Sequence, residues 1–336
     1  MAGLPAYQSV LMSGKQTSAD LAAALVTRTK AQRFTKCNFQ HGQNYEYDPS
    51  AANIGPDLAA QGPYDLKLDA ELLGFTEGVI EQAYLSCMGA VSTATEGAGT
   101  PQAHRSTFTF ANSVPAAGGY VSVERGFGTS TEAEAANFAI TRVEARGGSA
   151  MVRYMLKGVG GKPQRVTKST PTYTTAPPLP GSYLTTITIG GASTKCRGWS
   201  HYVDHHNEEN GYDGTHRYRT QAEYQEAEAG CDVELLFENM DMLRRFWSSA
   251  TATEPDATGT APAYATEIKT EGKQIPTSGG TEKHTLDWKA TSCVLDSLDV
   301  ELAGRDLIRQ RIRGRALRDG TDGVAKVYMI NTSASV

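Results

Sequence analysis

The sequence predicts a mainly β fold, with one or two short flanking α-helices and long loops. Two observations carry the mainly β prediction itself. Between His104 and Gly160, four short segments alternate apolar and polar residues: Thr107–Phe110, Tyr120–Glu124, Phe138–Ala145 and Met151–Lys157. Period-two patterning rich in β-branched and aromatic residues marks strands with one face buried. The 336 residues also include 34 glycines and abundant Ser, Thr and Ala, against 39% hydrophobic residues. Such usage suits strands and turns better than a helical bundle.

The elements follow in chain order. Residues 1–35 lack a sustained period and read as an N-terminal arm that needs neighbours to order it; Ser18 could open a short helix over Asp20–Val26. Residues 36–336 read as one β domain carrying inserted loops. Tyr64–Leu73 alternates apolar and charged residues as a half-exposed strand does. Thr76 is expected to cap a helix whose apolar stripe is Val79, Ile80, Ala83, Tyr84, Cys87 and Met88. Gly147-Gly148 is expected to turn the hairpin between the last two segments, since glycine tolerates positive φ.

Three stretches read as inserted loops: a Pro-rich one at 161–182, a polar one at 199–230 and a Thr/Ala/Gly/Pro-rich one at 249–282. Tyr183–Ile189 and Cys231–Phe237 lie between them as strands, and Asn239 is expected to cap a helix carrying Met240, Leu243, Phe246 and Trp247. Strands over His284–Trp288, Val294–Leu302, Leu307–Leu317 and Val324–Ile330 close the chain. No clean internal repeat is visible, although a strand–helix–strand–strand grouping occurs in both halves.

Charge and cysteine usage narrow the function classes. A net charge of −5 supplies no global basic field to draw the chain onto nucleic acid. No run of 18 apolar residues is long enough to cross a membrane as a helix. Met1–Tyr7 lacks the charged and apolar regions of a signal peptide. Cys37, Cys87, Cys196, Cys231 and Cys293 are widely spaced and odd in number, which predicts reduced thiols and cytosolic synthesis.

The candidate chemistry is sparse. His201, Asp204, His205, His206 and His216 are the right donor types for a transition metal. No helical His-Glu-x-x-His pattern orders them, and Asn210-Gly211 and Asp213-Gly214 interrupt the segment. A solvated loop or subunit contact is therefore the expectation, with no metal, cofactor or catalytic set. Gly158–Lys162 lacks phosphate-loop spacing, and Pro163 stands where Ser or Thr should hold magnesium. The acidic pairs Glu132/Glu134 and Asp296/Asp299 read as solvated faces. Arg309, Arg311, Arg313 and Arg315 recur at period two and share one strand face. They read as a basic strip gripping phosphates or a partner's carboxylates, or else as charge protecting an exposed edge, and they are expected at an inter-subunit contact paired with a neighbour's carboxylates.

The order of elements carries a resemblance. An N-terminal arm leads to a strand at Tyr64–Leu73 and a helix ending near Cys87-Met-Gly-Ala90. Strands at His104–Phe110 and Tyr120–Gly126 precede a hairpin at Phe138–Tyr154. Val233–Asn239 then runs into a second helix, and a last strand closes at Tyr328–Asn331. In this order and spacing, about residues 30–335 resemble the major tail tube proteins of long-tailed bacteriophages.

The resemblance implies a β-sandwich or barrel of the phage tail tube type, and a structural virion protein without an active site. Six copies would close into a hexameric ring by joining their inner strands into one barrel. Rings would stack into a hollow tail tube that conducts DNA from the capsid into the host cell. The implied partners are further copies of the chain, tape measure and tail terminator proteins, and DNA in non-specific passage, with no membrane insertion. The implied place is the virion tail, assembled in the host cytoplasm, with a lumen lined by carboxylates and small polar side chains. Three other classes stay open: a capsid-decorating or spike-like β protein, a carbohydrate-binding module using Trp199, Tyr202 and Tyr212, and a metallohydrolase using the His201–His216 cluster.

Overall fold

The computed structural model describes residues 9–18, 20–47, 59–96, 101–111, 119–148, 150–194, 196–207, 216–222, 224–236, 239–256, 259, 261–276, 280–301, 308–319 and 323–336. Within them the chain is mainly β, with strands in antiparallel pairs and two short helices. The first half comprises β1 (Val10–Lys15), β2 (Lys30–Ala31), β3 (Phe34–Tyr47), β4 (Ala59–Leu73) and α1 (Val79–Met88). It continues through β5 (Gly89–Glu96), β6 (Ala103–Phe110), β7 (Val121–Gly126), β8 (Glu132–Gly147), β9 (Arg153–Gly160) and β10 (Gln164–Thr167). The second half comprises β11 (Thr185–Ile189), β12 (Ala192–Thr194), β13 (Cys196–Asn207), β14 (Tyr224–Leu236) and α2 (Asp241–Trp247). It ends with β15 (Ala263–Gln274), β16 (Lys283–Glu301), β17 (Arg309–Ala316) and β18 (Lys326–Asn331).

The two halves repeat one topology. In each, a long hairpin runs directly into a helix: β3–β4 into α1, and β13–β14 into α2. The second hairpin strand pairs with the end of a meander, β4 with β9 and β14 with β17. The meanders match in turn, β7–β8–β9 against β15–β16–β17. Each half begins with a short strand pair that extends its meander, β2–β1–β7 and β12–β11–β15. Each ends with a strand laid along the start of the long central strand, β10 on β8 and β18 on β16.

The correspondence extends to single residues. The register of β8 on β9 slips between Ile140 and Arg142, where Ile140 faces Gly158. The register of β16 on β17 slips between Leu295 and Ser297, where Leu295 faces Gly314. A Cβ on Gly158 would lie 2.8 Å from the Ala139 carbonyl oxygen, and one on Gly314 would lie 2.7 Å from Cys293 Sγ. A β-bulge bends a strand and raises its twist, so each long strand has two sections, and on one side of β8 each section has its own partner. Along that side of β8, β7 covers residues 133–138 and β13 covers residues 142–147.

The β8–β13 pairing joins the halves. A hairpin found only in the first half, β5–β6, makes a second joint by pairing β6 with β18. Helix α1 lies between these joints and packs on β1, β5, β6, β7, β8 and β13. It ends where Gly89 takes φ 89°, a left-handed conformation that glycine accepts without strain. All ten of its residues are buried, Glu81 and Gln82 included, so the single apolar stripe expected from the sequence understates its enclosure. Trp288, Tyr84, Tyr154, Phe108 and Phe138 are the bulkiest fully buried side chains.

Several expectations are corrected. The described part of the N-terminal arm belongs to its own subunit: β1 lies between β2 and β7, and Leu11, Met12 and Leu21 are at most 2% exposed. Residues 1–8 lie outside the described residues. Most of the loop expected at 199–230 is the β13–β14 hairpin, with 208–215 outside the described residues. β10 falls within 161–182, and β15 within 249–282. The two strands expected at 284–302 are one bulged strand, β16. The β8–β9 connection is longer than a Gly147-Gly148 turn, because the last facing pair is Arg146 with Arg153.

The helix caps differ as well. Gly78 rather than Thr76 caps α1, its N–H donating to Glu81 Oε2 at 3.1 Å, while the Thr76 hydroxyl lies 3.2 Å from His284 Nδ1. Asn239 supports the start of α2 as expected, accepting the Asp241 N–H at 2.9 Å, although Met240 occupies the cap position.

Candidate assembly edges and the charged face

Eight strands, four from each half, form one continuous antiparallel ribbon in the order β3-β4-β9-β8-β13-β14-β17-β16. Side chains alternate across it with the pleat. One face is apolar, formed by Leu68 and Leu72, Tyr154 and Leu156, Val143 and Ala145, Trp199 and Val203, Val233, and Ile312, all buried. The other face is charged, and facing pairs carry it from strand to strand. Lys36 faces Glu71, Asp69 faces Lys157, Arg142 faces Asp204, Asp232 faces Arg313 and Arg311 faces Asp299.

Arg309, Arg311, Arg313 and Arg315 lie on this charged face, with their side chains about half exposed. Within the chain, carboxylates of the adjacent strand β14 lie beside them, where the sequence predicts a neighbouring subunit's carboxylates. Arg311 donates a forked pair of hydrogen bonds to Asp232, at 2.8 Å from Nε and 2.5 Å from Nη2. Arg313 Nε lies 3.3 Å from the same carboxylate, Arg315 Nε 3.5 Å from Glu228, and Arg309 Nη1 3.9 Å from Glu234. The register explains the difference, because β14 places an acidic residue opposite or diagonal to each arginine. The fork also holds the Arg311 guanidinium charged still more firmly than usual.

The five candidate metal ligands do not converge. His201 points into the apolar face, its ring 5.5 Å from Trp199 and 5.8 Å from Trp288, stacked on both. Its Nε2 lies 3.3 Å from the Tyr84 hydroxyl, and among the described residues Nδ1 has no hydrogen-bond partner. Burial pushes its pKa down to about 3, so the imidazole is neutral. Asp204 turns to the opposite face and accepts from Arg142 at 3.1 Å. His205 Nδ1 lies 3.0 Å from the Cys87 carbonyl oxygen. His216 lies beside Tyr218, and the side chain of His206 is outside the described residues. Among the described residues, no three His, Cys, Asp or Glu side chains gather as a metal-ligand set. Trp199 is 4% exposed and cannot serve as a sugar-stacking platform; Tyr212 is outside the described residues.

The two ends of the ribbon are the features that sequence reasoning missed. Among the described residues, β3 pairs only with β4, so its outer edge is open. At the other end, β15 covers β16 only as far as Val294. Among the described residues, 296–301 therefore keep one open edge on the side away from β17. Open strand edges present unpaired N–H and C=O groups and act as templates for another strand. Helix α2 lies near the second open end and, unlike α1, buries only Met242, with Met240 40% exposed just before it. A comparison with protein-family models finds no match for the chain, and neither does a comparison with curated proteins.

Proposed function

We propose that the chain is a structural protein that self-assembles edge to edge into closed rings, which stack as the hollow tail tube of a long-tailed bacteriophage. One observation carries this reading: the eight-stranded ribbon has an open edge at each end. Because β3 and β16 do not pair with each other among the described residues, such a ribbon can close into a barrel by adding copies of itself head to tail, and ring closure removes every edge.

On this reading the charged face of the ribbon lines the channel and the helices lie outside. The four arginines then face the lumen, so the expectation of a lumen lined only by carboxylates and small polar groups is given up. Cross-strand neutralisation replaces it, as Asp232, Glu228 and Glu234 sit among the guanidiniums. A face whose charges are already paired releases few counterions on meeting DNA and holds it weakly. DNA would pass without adhering, and tape measure and terminator proteins would meet the same ring.

Negative-stain microscopy with sedimentation of the concentrated protein tests the reading. Rings or tubes with a central channel are expected. A species that stays monomeric at every concentration would refute it, and solid or spike-like particles would favour the capsid-decorating alternative.

A further inference from the structure

The joint between the halves has a counterpart left unmade, and it specifies how two copies meet. At the joint, β8 residues 142–147 pair with β13, Ala145 facing His201 and Val143 facing Val203. The equivalent of β8 is β16, and the equivalent of β13 is β3. Counting five residues on from the register slip, Ala145 corresponds to Val300, since Ile140 corresponds to Leu295. The slip glycines Gly158 and Gly314 face Leu68 and Cys231, whose hairpin partners are Phe39 and His201. Phe39 is therefore the equivalent of His201.

From this correspondence we infer that β16 of one copy pairs antiparallel with β3 of a second copy. Val300 then faces Phe39, Asp299 faces Gln40 and Leu298 faces His41. This inference deepens the ring reading proposed above and rests on it. Each chain already carries two tail-tube units, so a ring of six units needs three chains rather than the six copies first expected.

Two independent features support the inference. Residues sealed at the intrachain joint have half-covered counterparts at the open edges. Val143, Ala145 and Val203 are 0% exposed and Trp199 is 4% exposed, whereas their counterparts Leu298, Val300, His41 and Cys37 remain at least partly exposed; Phe39, the counterpart of His201, is already covered at 2% by its own subunit. The helices differ in the same sense. Tyr84, the sixth residue of α1, is fully buried and reaches across the joint to His201. Phe246, the sixth residue of α2, is only partly buried, as is the following Trp247. A second copy's β3 would bring Phe39 onto Phe246 where His201 meets Tyr84. The partner is thus a second copy of this chain, because its β3 alone repeats the pattern that β13 already presents to β8.

The test is a cysteine pair, Gln40→Cys with Asp299→Cys, both exposed positions on the charged face. Facing Cα atoms in an antiparallel pair lie about 4.5–5.5 Å apart, within disulfide range. Oxidation of the assembled double variant should give a reductant-sensitive ladder ending at a closed species of three chains. The single variants and the off-register pair Gln40→Cys with Ser297→Cys should link at least about tenfold less. Trp247 emission should also shift to the blue on assembly, since Trp199 and Trp288 are already buried. Rings seen by microscopy without a 40–299 crosslink would overturn this edge pairing while leaving the ring reading intact. A ladder closing at six chains would overturn the chain count, and the absence of any oligomer would remove the ring reading beneath both.

Discussion

His201 shows how far burial can change a residue's meaning. In the sequence it heads a His-rich cluster; in the fold it is stacked between two indoles with its pKa lowered to about 3. Between its ordinary value near 6.5 and that lowered value, the unfolded chain binds a proton that the folded chain refuses. Stability contributed at this site is thus present above pH 6.5 and lost as pH falls toward 3. His201→Phe should flatten this acid loss by about 1–3 kcal/mol between pH 7 and pH 4, measured by urea unfolding at both pH values. An equal loss in both proteins would refute a buried neutral imidazole. Asp287 has the opposite sign. Burial raises its pKa to about 7 against the pull of Lys289 at 3.2 Å, and its Oδ1 lacks a hydrogen-bond partner. The folded chain keeps this proton longer, so stability declines as pH rises from about 4 through 7. Asp287→Asn should stabilise the protein more at pH 8 than at pH 5, by about 1 kcal/mol in the same assay. No difference between the two pH values would refute that assignment.

At the scale of elements, the arginine comb and the glycines of the joint make separable contributions. The ion pairs between β14 and β17 are exposed, so each contributes no more than about 1 kcal/mol and is screened by salt. Arg311→Ala should lower the melting temperature slightly at low salt and hardly at all in molar salt; a large salt-independent loss would mean a role beyond the pair with Asp232. Gly147 is different. A Cβ there would lie 2.2 Å from Trp199 Nε1 and 2.3 Å from the Gly181 carbonyl oxygen, and one of those contacts is backbone. Gly147→Ala should therefore force the end of β8 away from β13 and cost about 2 kcal/mol or more. Unchanged chemical denaturation would show that the joint has slack that the packing does not suggest.

At the scale of the whole molecule, β1 is part of the fold although residues 1–35 resemble a free arm in sequence. Six facing residue pairs tie β1 to β7, and Leu11 is wholly buried. Deleting residues 1–16 should abolish cooperative unfolding or render the chain insoluble, because it opens the β7 edge and uncovers the core under α1. A truncated protein with the full melting temperature that fails only to form long tubes would restore the arm reading.

Local alternation was enough to determine the strand-rich class. The apolar side of β4, β8 and β9 repeats every second residue, and half-buried strands must show that period whatever their neighbours. The two helices and the facing of the arginine strip were legible for the same reason. The internal duplication was legible only as a strand–helix–strand–strand grouping in both halves, because its two copies share topology and bulge positions rather than residue types. His201 stands for Phe39, and Gln310 for Tyr154, since a β core selects size and polarity over identity. β13 was read as a loop because His, Asp and Asn, which usually favour turns, occupy a strand whose inner face is sealed by Tyr84, Trp199 and Trp288. Only the tertiary structure could decide that β8 meets β13 while β16 and β3 stay open, for strand partners lie more than fifty residues apart and no local pattern encodes which edge is left unpaired.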